Sequence, residues 1–130
     1  IVADAAGAYL PSAGLVRFRR TFEFDGRDGF TVSDDIQTEQ PKPIQWFLHA
    51  DGPFEAKGGA FVLGGTSPSL VATVVSPAGA RTALEKTLLM APGKPGSITS
   101  GTEEQRGYHL LVETPAATQT AIRVELKIVK

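Results

Sequence analysis

Trp46 and His49 are the residues whose types and spacing most clearly suggest chemistry, and they lie close together in the run IQWFLH at 44–49. Histidine binds metals and transfers protons near neutral pH, and tryptophan offers a large flat apolar surface. In an extended strand Trp46 shares a face with Ile44 and Leu48, whereas Phe47 and His49 share the other face. Because both faces are apolar, the pattern predicts a central strand covered by two sheets or by another domain. Trp46 is then expected in the core, and His49 half-buried at the end of the strand.

The second histidine, His109, is far from His49 in the sequence, yet the two could meet in space beside an Asp or Glu and hold a metal ion. A hydrogen-bonded strand histidine is the favoured interpretation of each, so no metal site is predicted. The chain has no cysteine, which excludes disulfides, thiolate metal sites and a cysteine nucleophile. The segment GGAFVLGG at 58–65 lacks a phosphate-loop spacing, and its glycines are interpreted as hairpin glycines. The sequence therefore predicts no catalytic residue and no cofactor in this chain.

Arginines on the first long strand allow two interpretations. Arg17 and Arg19 share a face by period two, and guanidinium groups fit carboxylates and sulfates because two donors meet two oxygens at once. The pair could therefore bind an acidic sugar. Alternatively, the charges keep an exposed strand face soluble and protect it from edge pairing.

Two neighbouring carboxylates, Asp34 and Asp35, point to opposite faces of the next strand, so they do not form a paired acid/base site. One of them is expected to face inward, where it needs a partner such as Arg20 or a backbone amide. The other is expected to be solvated. This predicts a structural salt bridge, not a catalytic group.

The composition indicates one globular domain over residues 1–130. The chain is 42% hydrophobic and 21% charged, with a formal net charge of −1, which argues against a nucleic-acid partner. No apolar run approaches the roughly 18 residues of a membrane span, so no membrane partner is predicted. The opening IVADAAGAYL lacks an initiator Met and the pattern of a signal peptide, which suggests a piece of a longer protein or a mature form.

Short alternating segments separated by Gly, Pro and Asp dominate the chain and predict an all-β fold. About nine or ten short strands with no convincing helix predict an antiparallel two-sheet β-sandwich. In the segment 14–24, Val16, Phe18, Phe22 and Phe24 are expected on one face. The turn SPAGAR at 76–81 is interpreted as a hairpin that joins the strands on either side of it. The polar stretch 91–107 is the one long loop, and its order is left open.

Several segments resemble the C-terminal segment of heparinase II/III-like polysaccharide lyases. They are the ADAAGAY opening at 3–9, the arginine-bearing strand at 17–24, the string VSDDIQTEQPKPIQWFLH at 32–49 and GYHLLVET at 107–114. The likeness is good over the first half of the chain and weaker over the second. It implies an α-helical toroid-like domain followed by antiparallel β-sandwich domains, acting on acidic polysaccharides by β-elimination.

The resemblance implies that catalysis belongs to other parts of the parent protein. The family's catalytic Tyr and His, its carboxylate-neutralising residues and, in some members, a structural zinc site lie upstream of the matching segment. Nothing beyond residue type links Tyr9 or Tyr108 to the catalytic tyrosine. The chain is then a non-catalytic C-terminal domain of a bacterial periplasmic or secreted lyase, whose partners are the upstream catalytic domains.

If this domain also contacts acidic polysaccharide, the predicted substrate-binding residues are Arg17, Arg19, Trp46 and His49. The alternatives are a free-standing carbohydrate-binding module and a structural sandwich domain without a sugar contact. A binding module would need an exposed aromatic platform, and the chain has only one Trp and two Tyr from which to form it.

Overall fold

Ten antiparallel strands make up most of the described chain, which in this computed structural model is residues 1–64, 68–90 and 105–130, with the backbone alone for 87–90 and 105–106. The strands are β1 (Val2–Asp4), β2 (Leu15–Phe24), β3 (Gly29–Lys42), β4 (Gln45–Ala50), β5 (Phe54–Lys57), β6 (Ala60–Leu63), β7 (Ser69–Ser76), β8 (Arg81–Met90), β9 (Gln105–Glu113) and β10 (Ala117–Val129). Single 3-10 turns at Ala6–Ala8 and Pro11–Ala13 connect β1 to β2. No helix in these residues has the length and apolar character to cross a bilayer.

The strands form two sheets, and the predicted all-β sandwich is confirmed. The seven-stranded sheet has the order β1-β2-β3-β10-β7-β6-β5, and the three-stranded sheet has the order β4-β9-β8. Apolar side chains from both sheets meet between them, because burying one face of each sheet removes the most apolar area from water. The buried core residues are Val32, Ile36, Trp46, Phe54, Ala72, Leu110, Val112, Ile122 and Val124.

The position of β4 corrects one prediction and confirms another. Trp46 is 6% exposed, so its assignment to the core is confirmed. The strand itself is not central: β4 forms one edge of the three-stranded sheet and pairs only with β9 among the described residues. Phe47 is 40% exposed, so the second apolar face is open. Side-chain alternation shows which residues share a face of a strand, but it does not show which other strands or domains pack against that face.

A β-bulge at the start of β2 corrects the predicted face of that strand. Leu15 pairs with Thr38 and Arg17 with Gln37, so Val16 is an extra residue on the β2 side. The bulge turns Leu15 towards the core and leaves Val16 54% exposed, although Val16 was predicted to share the face of Phe18. An inserted residue reverses the alternation on one side of it, which a regular period cannot anticipate.

The connection between β7 and β8 is not a hairpin, contrary to the prediction. The strand β7 pairs with β6 and β10 in the larger sheet, whereas β8 pairs with β9 in the smaller one. The turn therefore carries the chain from one sheet to the other. Of the predicted loop 91–107, residues 105–107 belong to β9, and 91–104 lie outside the described residues.

The β5–β6 hairpin confirms the role of its glycines and provides a test. Gly58 and Gly59 have φ angles of 59° and 82°, as a two-residue hairpin turn requires. We expect Gly59→Ala to cost about 1–2 kcal/mol of unfolding free energy in urea titrations, because a side chain disfavours this left-handed conformation. An added Cβ would meet no atom within 4 Å, so the cost is conformational and not steric.

Gly7→Ala is the matched control. Gly7 also has no atom within 4 Å of an added Cβ, but its φ is not in the positive range. Its replacement is expected to leave stability unchanged or slightly raised. Equal losses in the two variants would contradict the conformational explanation.

Candidate functional site

The two histidines come together on the outer face of the three-stranded sheet. His49 on β4 lies directly opposite His109 on β9, and their ring centres are 5.5 Å apart with perpendicular planes. The ring of Phe47 stacks on His49 at 5.8 Å and meets His109 edge-on at 5.0 Å. We name Phe47, His49, His109 and Glu85 the histidine cluster.

Glu85 extends this row to the third strand. It lies opposite His109 in the β8–β9 register, and its Oε2 is 3.0 Å from Nε2 of His109. An ionised carboxylate can only accept, so Nε2 of His109 is the donor in this pair, and in the neutral form of the ring Nδ1 is the nitrogen that carries the lone pair. That Nδ1 is buried and has no hydrogen-bond partner in the part of the chain that the structure describes. Buried polar atoms without a partner are uncommon, so this nitrogen requires an explanation.

The histidine cluster lacks the partners of a general acid/base pair. Tyr108 neighbours His109 along β9, so the two side chains leave opposite faces of the sheet. Tyr9 packs instead against Phe18, with ring centres 5.8 Å apart. Within the described residues, no group of three or more His, Cys, Asp or Glu side chains converges on a point that could hold a metal ion.

A second polar row crosses the same three strands on the same outer face, further along β9. Gln45 donates from Nε2 to Oε2 of Glu113 at 2.8 Å, and Arg81 lies 3.1 Å from the other oxygen. The hydrogen bond from the amide of Gln45 is the largest single cause that holds the pKa of Glu113 below its usual value, and the charge and contact of Arg81 lower it further. The apolar residues Phe47 and Leu111 separate this row from the histidines.

Gln45→Ala is expected to raise the pKa of Glu113 towards its ordinary value, measured by NMR titration of the side-chain carboxyl carbon. A carboxyl whose folded pKa is depressed stabilises the fold above its unfolded pKa, and that contribution disappears as the pH falls through the folded pKa. The variant should therefore lose part of this acid-dependent stability. Arg81→Ala should also raise the pKa of Glu113, because Arg81 lowers it both by its charge and by its contact with the carboxylate, and an unchanged pKa in either variant would contradict the assignment of causes.

The inward carboxylate is Asp34, and its predicted partner Arg20 is confirmed. Arg20 donates from Nε and Nη2 to the two carboxylate oxygens at 2.7 and 2.6 Å, and this pairing raises the pKa of the guanidinium. The Asp34 side chain is 1% exposed, and the Arg20 side chain is 32% exposed. The pair lies in a cavity of about 390 Å³ at an open end between the sheets, beside Phe18, Trp46 and Lys42.

The predicted substrate-binding residues lie on three different surfaces. Arg17 and Arg19 are exposed on the outer face of the seven-stranded sheet, where Arg17 pairs with Asp35 at 2.8 Å. Trp46 lies between the sheets, and His49 is on the outer face of the other sheet, where it is exposed and not half-buried as predicted. The structure therefore does not bring the four into one groove, and their contact with sugar stays a prediction.

Nothing in the sequence indicated Glu85 as the partner of His109. The alternation of side chains along a strand places Glu85 on one face with Ala83 and Arg81. Its contact with His109, however, depends on the register between β8 and β9. Register is set by which faces become buried and by the turns, and those are tertiary properties.

Comparisons with known proteins find likeness in the fold alone. No family model matches the chain, and no curated protein matches it. A solved structure of heparinase III with methylated lysines shares the fold at a TM-score of 0.72 and 12% identity, over 99% of this chain and 19% of that chain. A second heparinase III structure matches at a TM-score of 0.65 and 12% identity, over 88% of this chain and 18% of that one. The chain thus spans about a fifth of the heparinase III chains whose fold it shares.

Proposed function

We propose that this sandwich is a non-catalytic C-terminal domain of a heparinase II/III-like polysaccharide lyase, and that it braces the catalytic region of a periplasmic or secreted enzyme. The observation that carries the proposal is the fold likeness, which extends over 99% of this chain but only 19% of a heparinase III. A domain of that relative size leaves the greater part of such an enzyme to perform β-elimination on acidic polysaccharides.

The geometry around the titratable residues supports an accessory role. β-Elimination needs a base at the carbon next to the uronate carboxylate and an acid at the leaving oxygen, both within hydrogen-bond reach of the sugar. Here His109 is buried and held by Glu85, and Tyr108 leaves the opposite face of the sheet. The imidazole and the phenol therefore cannot act on one sugar ring.

Grouped exposed aromatic residues support the bracing role. Phe22, Phe24 and Phe30 lie on the inner face of the seven-stranded sheet, at an end where they remain 44%, 57% and 42% exposed. The rings of Phe24 and Phe30 stack with centres 4.8 Å apart. Grouped apolar surface of this kind is typical of sites that pack against other protein parts.

The test compares this chain with the complete gene product that contains it. The isolated chain should release no unsaturated uronate from heparin, heparan sulfate, hyaluronan or alginate, measured by ultraviolet absorbance. The complete product should act on one of them, and deletion of this segment should lower its melting temperature. Clear turnover by the isolated chain would contradict the proposal, and so would an unchanged melting temperature of the complete product after deletion of this segment.

A free-standing carbohydrate-binding module is the second candidate, and the observation that favours it is the open face bearing Arg17 and Arg19. Calorimetric titration of the chain with heparan sulfate oligosaccharides separates the two. Binding that Arg19→Ala weakens, and that Arg81→Ala on the outer face of the other sheet leaves unchanged, would favour the module. No saturable binding favours the bracing domain.

A further inference from the structure

The unpartnered nitrogen of His109 has the setting of a metal ligand. Histidines that bind metals usually donate their other ring N–H to a carboxylate, which fixes the tautomer and raises the basicity of the ligating nitrogen. His109 has the same arrangement, since Oε2 of Glu85 is 3.0 Å from Nε2 and Nδ1 has no partner among the described residues. The side chain is 10% exposed, so this unpaired nitrogen is held in place by the fold.

The second imidazole lies at a suitable distance. With metal–nitrogen bonds of about 2.0–2.1 Å, two imidazoles on one tetrahedral ion have ring centres roughly 5 Å apart. The rings of His49 and His109 are 5.5 Å apart on directly opposed strand positions. Nε2 of His109 faces Glu85 on β8, so Nδ1 points away from Glu85. The strand β9 lies between β8 and β4, so His49 on β4 is on the side opposite Glu85.

We propose that His49 and Nδ1 of His109 together bind one divalent transition-metal ion, with Glu85 as the positioning residue of His109. His49 is exposed on an edge strand, so its ring can turn about its own side-chain bonds to admit the ion without disturbing the core. The remaining coordination positions belong to water, because no third ligand converges within the described residues.

Ligand chemistry selects the class of metal. Neutral imidazoles suit copper, nickel and zinc, whereas calcium and magnesium require oxygen ligands. Among divalent ions of the first transition row, Cu²⁺ binds such nitrogen sites most tightly. Copper is therefore the most sensitive probe, and calcium is the negative control.

The experiment titrates Cu²⁺ into the tag-free chain, followed by calorimetry and electron paramagnetic resonance. These two histidines are the only ones in the chain and cysteine is absent, so imidazole ligands can be assigned directly. We expect one Cu²⁺ per chain with hyperfine splitting from two imidazole nitrogens, and no binding of Ca²⁺. Glu85→Gln should weaken Cu²⁺ binding about 10–100-fold while keeping the stoichiometry, as is usual when the partner of a ligating histidine is lost.

His49→Gln is the decisive variant, because His49 is exposed and its loss should leave the fold intact by circular dichroism. It should abolish the two-nitrogen signal. Glu113→Gln, on the same face but in the other polar row, should bind Cu²⁺ like the unchanged chain. Retained two-nitrogen binding in His49→Gln, or no saturable Cu²⁺ binding by the unchanged chain, would overturn the proposal.

Discussion

Replacement of Arg20 by methionine is expected to lower the free energy of unfolding by about 3 kcal/mol, because it leaves the carboxylate of Asp34 buried without its partner. The Asp34 side chain is 1% exposed and uses both oxygens in the pair, so the loss of Arg20 removes both of these charge-assisted hydrogen bonds. The value is at the lower end for a broken buried pair, since the Arg20 side chain is itself 32% exposed. Urea denaturation followed by circular dichroism measures the loss.

Two further variants make this prediction specific to the buried pair. Arg17→Met breaks a matching pair with Asp35 on the same two strands, but both side chains are about half exposed, so the expected loss is only about 0.2–1 kcal/mol. The double variant Arg20→Met with Asp34→Leu removes both charges and should recover much of the stability. Equal losses for Arg17→Met and Arg20→Met would show that burial of the pair does not matter.

Truncation of Trp46 to alanine is expected to cost about 3–5 kcal/mol of unfolding free energy, the usual range for an aromatic residue removed from a core. The indole is 6% exposed and packs in the cluster formed by both sheets, so its loss leaves a cavity that the neighbours fill only in part. Circular dichroism must be the readout, because Trp46 is the only tryptophan in the chain. In the unchanged protein its fluorescence should be blue-shifted and resistant to quenching by iodide.

The adjacent residue provides the control for Trp46. Phe47 points to the opposite face and is 40% exposed, so Phe47→Ala should cost only about 1 kcal/mol through lost contacts with the histidine rings. A larger loss for Phe47 than for Trp46 would mean that the outer face of the small sheet is covered in solution. Strong iodide quenching of Trp46 would contradict its place in the core.

Much of the local structure could be predicted from side-chain alternation. The inward orientation of Trp46, the shared face of Arg17 and Arg19, and the pairing of Arg20 with a neighbouring aspartate follow from period two and from the cost of burying an unpaired carboxylate. The positive φ of Gly58 and Gly59 follows from the demands of a two-residue turn. These features depend on residues close together in the sequence or on directly adjacent strands.

The histidine cluster could not be predicted in the same way. His49 and His109 belong to strands that are far apart in the sequence, and Glu85 comes from a third strand that seemed to continue a hairpin with β7. Likewise, the apolar run around Trp46 and Phe47 suggested a central strand, but the centre of the small sheet is β9. Strand order depends on the summed burial of many distant pairs, whereas alternation is a property of each strand alone.

By itself, the sequence determined that this chain is an all-β sandwich, that Trp46 faces the core, and that one aspartate must be paired inside. The tertiary structure alone decided that the two histidines face each other, that Glu85 holds His109, and that the arginines and His49 lie on different surfaces. The physical reason is the range of the forces involved. Alternation and turn conformation act over a few residues, whereas a site built across three strands exists only after non-local pairing has set their register.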